Sequence, residues 1–343
     1  MRPAIRYAAS SAVLVAAVIS GALYGIAQPT AQSFASRVER LSEDGGDFDT
    51  DNLISNERSY LDVIPALHAS GVSGGAYVGV GPDQNFSYIA QIRPAIAFIV
   101  DIRRDNLLLH LLFKALFAAA QNRAEYVSLL TGRPPPDALE TWREASLERI
   151  VAYIDESKSS PDLVQRLDRR LHGAIAAFGV PLTAADFGTI ERFHHTFISA
   201  GLSLRFESRG RPPRSAYPTL RDLMLATDRA GRGWSYLASE RDFQFVRSLE
   251  GQDLVIPVVG DLGGTRALSA IADLMTARGD RLSAFYVSNV ETYLSGEKYS
   301  SFVKNVARLP RDPGSTIIRS TFINSVSSSE IQPANQFVSA NKP

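Results

Sequence analysis

Three stretches of the chain are apolar at nearly every position, residues 76–80, 95–100 and 254–260, and two more, 282–290 and 315–322, read as strands with polar residues interspersed. A central parallel strand has the first signature, because helices cover it on both faces. Between these stretches the period changes. Residues 85–92 have a helical pattern that ends at Pro94, and 265–279 and 299–309 repeat apolar positions every three or four residues. Strand and helix in alternation imply parallel strands joined by right-handed crossovers.

A long helical block separates the second strand from the third. Residues 107–130, LLLHLLFKALFAAAQNRAEYVSLL, are apolar almost all round and read as one buried helix. RPPPD at 133–137 breaks the chain, and 139–154 and 163–178 then read as amphipathic helices. Residues 209–218 form a loop, followed by short helices at 220–227 and 240–248. The expected fold is an open, mostly parallel α/β sheet with a large helical insertion, about 106–251, between its second and third strands.

The ends read differently. Arg2 and Arg6 precede an uncharged segment, 7–27, long enough to span a bilayer and rich in small residues. Residues 1–27 are therefore expected to be a signal peptide or an N-terminal membrane anchor, which places the protein in the cell envelope. The arginines favour an exported domain, while Arg37 and Arg40 beyond the segment keep a cytosolic face open. Residues 28–51 read as a polar linker, 52–322 as the α/β domain, and 323–343, rich in Ser, Asn, Gln and Pro, as a disordered tail. Composition narrows the partners. Lys+Arg and Asp+Glu both total 36, which gives nucleic acid no electrostatic foothold, and the absence of Cys excludes disulfides and thiolate chemistry.

The candidate chemistry sits at the carboxyl ends of the strands. VGVGPDQN, 78–85, follows the first strand, and Gly79 and Gly81 let backbone approach a ligand with no Cβ between them. Asp83 or Asn85 can cap the next helix, whose free N–H groups point at the same place. Asp101 ends the second strand about twenty residues later, the spacing at which a carboxylate accepts both hydroxyls of a ribose. Gln84 stands where a third glycine of a dinucleotide fingerprint would be, and no phosphate-cradling P-loop is present. Two glycines and a carboxylate fit a ligand with ribose but without phosphate.

The stretches GGAYVGVGPDQNFSYIAQIRPAIAFIVDIRRDN, DLVIPVVGDLGGTRALSAIADLMTARG and LSAFYVSNVETYL together resemble the class I S-adenosylmethionine-dependent methyltransferases, specifically a largely uncharacterised bacterial group similar to them. The resemblance covers most of the expected sheet and leaves out the helical insertion. It implies a Rossmann-like sheet of the methyltransferase type and S-adenosylmethionine as cofactor. It further implies that Gly79, Gly81 and Pro82, with Asp83, wrap the methionine part, that Asp101 holds the ribose, and that Asp261 meets the adenine amino group. Ser288, Asn289 and Glu291 would face a methyl acceptor, a small molecule or other group, with Glu291 or Asp261 as base. The chain departs from the pattern in lacking an Asn/Asp-Pro-Pro-aromatic motif after the fourth strand.

Other motifs carry less. Gly71-Val72-Ser73-Gly74-Gly75 satisfies the G-x-S-x-G serine-hydrolase elbow, but helix precedes it and strand follows, the reverse of an elbow. The single Asp-Gly-Gly, 44–46, lies upstream of that serine in the polar linker. Glu191, His194 and His195 put two ligand types on one helical face, yet no second Glu-x-x-His exists, so they read as ordinary helix polar residues with no metal expected. S-adenosylmethionine is made in the cytosol, so an exported domain would lack it. The alternative expectation is accordingly a non-catalytic envelope protein that keeps the sheet as a binding or scaffold module.

Overall fold

The computed structural model describes residues 33–341, apart from 51, 210, 212, 213 and 325. The segment 7–27, expected as signal or anchor, lies outside the described residues. Among the described residues no helix is long and apolar enough to cross a membrane.

One mixed sheet of six strands organises the chain: β1 (Ala76–Gly79), β2 (Ile96–Asp101), β3 (Val255–Val259), β4 (Leu282–Ser288), β5 (Arg311–Ile323) and β6 (Val326–Pro333). Across the sheet they run β3-β2-β1-β4-β5-β6, the first five parallel and β6 antiparallel to β5. Every residue of β1 and β3 is buried, and so is β2 up to its final Asp101, as runs apolar on both faces require. The strand order reverses between β1 and β4. In an open α/β sheet that reversal leaves a crevice at the carboxyl edge.

Thirteen α-helices accompany the sheet among the described residues. Helices α1 (Phe34–Leu41) and α2 (Ile64–Ala69) precede β1, and α3 (Gln84–Ile92) joins β1 to β2. Between β2 and β3 come α4 (Arg104–Ala119), α5 (Arg123–Leu130), α6 (Leu147–Glu156), α7 (Pro161–Ala177), α8 (Ala184–Ala200), α9 (Leu220–Met224) and α10 (Glu240–Gly251). Helices α11 (Ala267–Arg278) and α12 (Gly296–Arg308) follow β3 and β4, and α13 (Ala334–Ala340) closes the chain. The apolar run 107–130 is two helices rather than one. Asn122 ends the continuity by capping α5, its side chain accepting from the Glu125 N–H at 2.9 Å.

Both ends of the domain are more ordered than their composition suggests. In the expected linker, α1 buries Phe34, Val38 and Leu41, four and then three residues apart on one face. The chain then crosses the carboxyl ends of two strands. The Glu43 N–H donates to the Val259 carbonyl (2.9 Å) and the Gly46 N–H to the Ile102 carbonyl (2.8 Å). The expected disordered tail is corrected too. β6 pairs with β5 from Thr316 opposite Pro333 to Ile323 opposite Val326, and α13 buries Ala334, Phe337 and Val338. A serine-rich segment can form an edge strand because ladder bonds come from backbone, and a polar edge discourages pairing with other chains.

Candidate functional site

A cavity of about 300 Å³ opens at the carboxyl edge where the strand order reverses. The ends of β1 to β4 supply Gly81, Asp101, Asp261, Ser288 and Asn289, and the segment before α2 supplies Phe48, Thr50, Asn52, Asn56 and Glu57. Ile102, Leu262 and Tyr293 give it apolar surface, and the Phe48 and Tyr293 rings meet edge to face at 4.9 Å. The volume lies at the lower end of the range of about 300–1,000 Å³ found for small-molecule pockets.

The glycine turn is built around a side chain of the protein itself. Asn85 is fully buried and does not cap α3. Its amide donates back to the carbonyls of Val80 (2.9 Å), Gly81 (3.3 Å) and Pro82 (2.7 Å), and its Oδ1 accepts from the Tyr77 hydroxyl at 2.8 Å. A Cβ on Gly79 would sit 1.9 Å from Asn85 Oδ1, so Gly79 is glycine to admit that amide. Gly81 is the glycine on the cavity, with a left-handed φ of 82° that L side chains rarely adopt. Its carbonyl accepts from His110 Nε2 at 2.9 Å, and burial pushes the His110 ring down to about 4, keeping it neutral. Pro82 serves the turn through its carbonyl.

The carboxylates at the strand ends already hold cations. Asp101 forms a fork with Arg103, Oδ1 to Nε at 3.0 Å and Oδ2 to Nη2 at 2.8 Å, and Oδ1 also accepts the Arg103 N–H at 2.9 Å. A carboxylate offers about four acceptor sites, so these three bonds leave room for one ligand hydroxyl rather than two. Asp261 accepts from Lys298 Nζ at 2.6 Å and from the Gly263 N–H at 2.9 Å, and its own N–H donates to Glu43 Oε1. Glu291 lies off the cavity, in a 3-10 turn (Val290–Tyr293), 3.3 Å from the Arg319 guanidinium of β5. Asp83 is also elsewhere, facing the Tyr236 hydroxyl at 3.4 Å in a separate small cavity, where burial raises its carboxyl to about 6. Ser73 is exposed at the amino end of β1, opposite the strand ends that form the site, which removes the elbow reading.

Two cavity residues were not among the site candidates of the sequence. Glu57 is 1% exposed, and its oxygens face the hydroxyls of Ser288 (2.5 Å) and Ser320 (2.6 Å) instead of a cation. Burial pushes this carboxyl up, while the hydroxyl bonds oppose the shift. Behind it hydroxyls continue from Ser320 to Ser329 (3.1 Å), Ser59 (3.1 Å) and Ser327 (2.9 Å). Gln84 is 6% exposed, its Nε2 donates to the Tyr286 hydroxyl at 3.2 Å, and its Oε1 has no partner. A buried acceptor without a donor is costly unless something else supplies one.

A family model described as a domain of unknown function (DUF7790) matches residues 53–169 and 211–340. The chain belongs to the DUF7790 family. Its matched segments contain Glu57, the glycine turn, all the strands and Asn289, while α8 falls between them. No curated protein matches the chain.

Proposed function

We propose that the cavity binds an adenosine-type small molecule and that this DUF7790 protein is a methyltransferase-like protein using S-adenosylmethionine on a Rossmann-like sheet. The observation that carries the reading is the convergence of Gly81, Gln84, Asp101, Asp261 and Asn289 on one crevice at the reversal of strand order. The lining suits such a cofactor. Ile102 and Leu262 offer apolar contact to a base, Gln84 places a polar side chain on the wall, and Asp101 retains one acceptor site for a ribose hydroxyl. Bound S-adenosylmethionine would supply a methyl carbon activated by its positively charged sulfur. The chain would contribute alignment, which supplies most of the acceleration such a displacement needs. Asn289 would orient the acceptor. Glu57, displacing Glu291 from that role, would receive its proton, since a carboxyl raised by burial is poised as a base nearer neutrality.

Titration of the full-length protein with S-adenosylmethionine and its demethylated product tests the reading. Micromolar binding is expected, weakened about tenfold, or 1.4 kcal/mol, in Gln84→Leu; no binding of either compound by folded protein would refute it.

A second reading rests on a specific observation. Asp101, Asp261 and Glu291 are each neutralised by a cation of the chain, as in a sheet retained for binding without turnover. A reporter fused after Gln32 and found outside the cytoplasm, together with ligand binding but no methyl transfer, would favour this envelope-associated scaffold.

A further inference from the structure

Helices α7 and α8 pack beside a second cavity of about 330 Å³, lined by Asp168, His172, Glu191 and His194 with apolar surface from Leu171 and Ile190. Asp168 of α7 faces α8, where Glu191 and His195 stand four residues apart on one helical face. One ligand atom from each of the three lies within 4.8 Å of the other two. The sequence showed a Glu-x-x-His-His run with no second motif; the fold supplies the missing ligand from α7.

His194 adds an independent observation. It is 2% exposed, and its Nε2 lies 2.9 Å from the Leu129 carbonyl. A carbonyl only accepts, so Nε2 carries the hydrogen, and in the neutral ring Nδ1 carries a bare lone pair. That Nδ1 has no hydrogen-bond partner and lies 3.8 Å from Asp168 Oδ1, too far for a hydrogen bond. The neutral ring's lone pair thus faces an Asp168 oxygen that His195 Nε2 also approaches, at 3.2 Å, an arrangement a cation would satisfy. A histidine that gives one ring N–H to a backbone carbonyl and leaves the other nitrogen bare has the arrangement found at metal centres. His195 Nε2, 3.0 Å from Asp168 Oδ2, would exchange its proton for the same ion.

We propose that Asp168, Glu191 and His195, with His194 Nδ1 beside Asp168, form a divalent-metal site of the zinc class that ties α7 to α8. Mixed imidazole and carboxylate donors suit zinc better than magnesium or calcium. With His195 44% exposed on its side chain, water completes the coordination from solvent. The site is independent of the cofactor reading, since it draws on none of the residues around Gly81.

Zinc titration of the chelator-treated full-length protein, followed by calorimetry and by metal content after dialysis, tests the proposal. One zinc per chain is expected to bind with micromolar or tighter affinity and to raise the melting temperature. His195→Ala and Glu191→Gln, both at exposed positions, should each weaken binding at least tenfold with unchanged circular dichroism. His68→Ala should leave it within twofold. Because His194 is buried, Asp168→Asn serves as the third variant, and cobalt substituted for zinc should lose its visible absorption in it. Absence of stoichiometric zinc in the wild type, or equal affinity in His195→Ala and Glu191→Gln, would overturn the site.

Discussion

If Gly79 is glycine to admit Asn85, substitutions at the two positions must couple. In Gly79→Ala the new Cβ overlaps Asn85 Oδ1 at 1.9 Å and approaches the Tyr77 hydroxyl at 2.7 Å. The amide must then leave its place. That breaks the bonds to Val80, Pro82 and Tyr77, at 2.9, 2.7 and 2.8 Å. With each buried bond contributing about 1 kcal/mol net, the loss is roughly 3 kcal/mol. Asn85→Ala forfeits the same bonds and costs about as much. It also vacates the space Asn85 filled. Adding Gly79→Ala then meets the Tyr77 ring, its hydroxyl at 2.7 Å and Cε1 at 2.8 Å, and should cost about 1 kcal/mol more as that ring shifts toward the vacated space. The double variant should therefore fall near 4 kcal/mol instead of 6, a coupling of about 2 kcal/mol. Urea denaturation of the four full-length proteins, monitored by far-ultraviolet circular dichroism, measures each term. Additive losses would refute the argument and return Gly79 to the ligand.

Other expectations follow from the same geometry. Glu291→Ala should leave affinity for S-adenosylmethionine within twofold, because Glu291 is spent on Arg319 away from the cavity; a tenfold loss by calorimetry would restore it to the site. Glu57 has a folded-state pKa above its ordinary 4.5. Above that value the native state holds a proton the unfolded chain has released, so this group makes stability fall as pH rises. Stability measured from pH 4 to 8 should fall less steeply in Glu57→Gln, and parallel curves would contradict the burial argument. His110 works in the opposite sense. Its ring drops from 6.5 to about 4, so between those values the unfolded chain takes up the extra proton and stability falls as pH falls. The wild type should lose on the order of 3 kcal/mol more than His110→Gln across that window, and equal losses in denaturation curves would exclude a neutral buried ring.

The strands β1 to β3 were legible because they are apolar on both faces, a pattern that only burial on both sides satisfies, as in β2, IAFIVD. The edge strand was not. VSSSEIQP pairs through its backbone, so its side chains announce nothing. Likewise α1 is short, and the acidic run after it masked three apolar residues. At the site, the strand ends were found by position, since Gly81, Asp101, Asp261 and Asn289 follow directly from where strands stop. For Asp101 the partner, Arg103, stands two residues away in the sequence, whereas Lys298 reaches Asp261, and Arg319 reaches Glu291, through side-chain geometry that sequence distance does not reveal. Glu57 gave no local cue. One glutamate before a helix is unremarkable until β4 and β5 bring Ser288 and Ser320 against it.

The hydroxyl chain behind Glu57 joins residues far apart in the sequence, Ser59 from ahead of β1 and Ser327 and Ser329 from β6. A chain still emerging from the ribosome has every strand-end residue from Gly81 to Asn289 before it has the hairpin that backs them. Seating of Glu57 therefore waits until β5 and β6 have been made and paired, whatever the order in which the rest of the sheet forms.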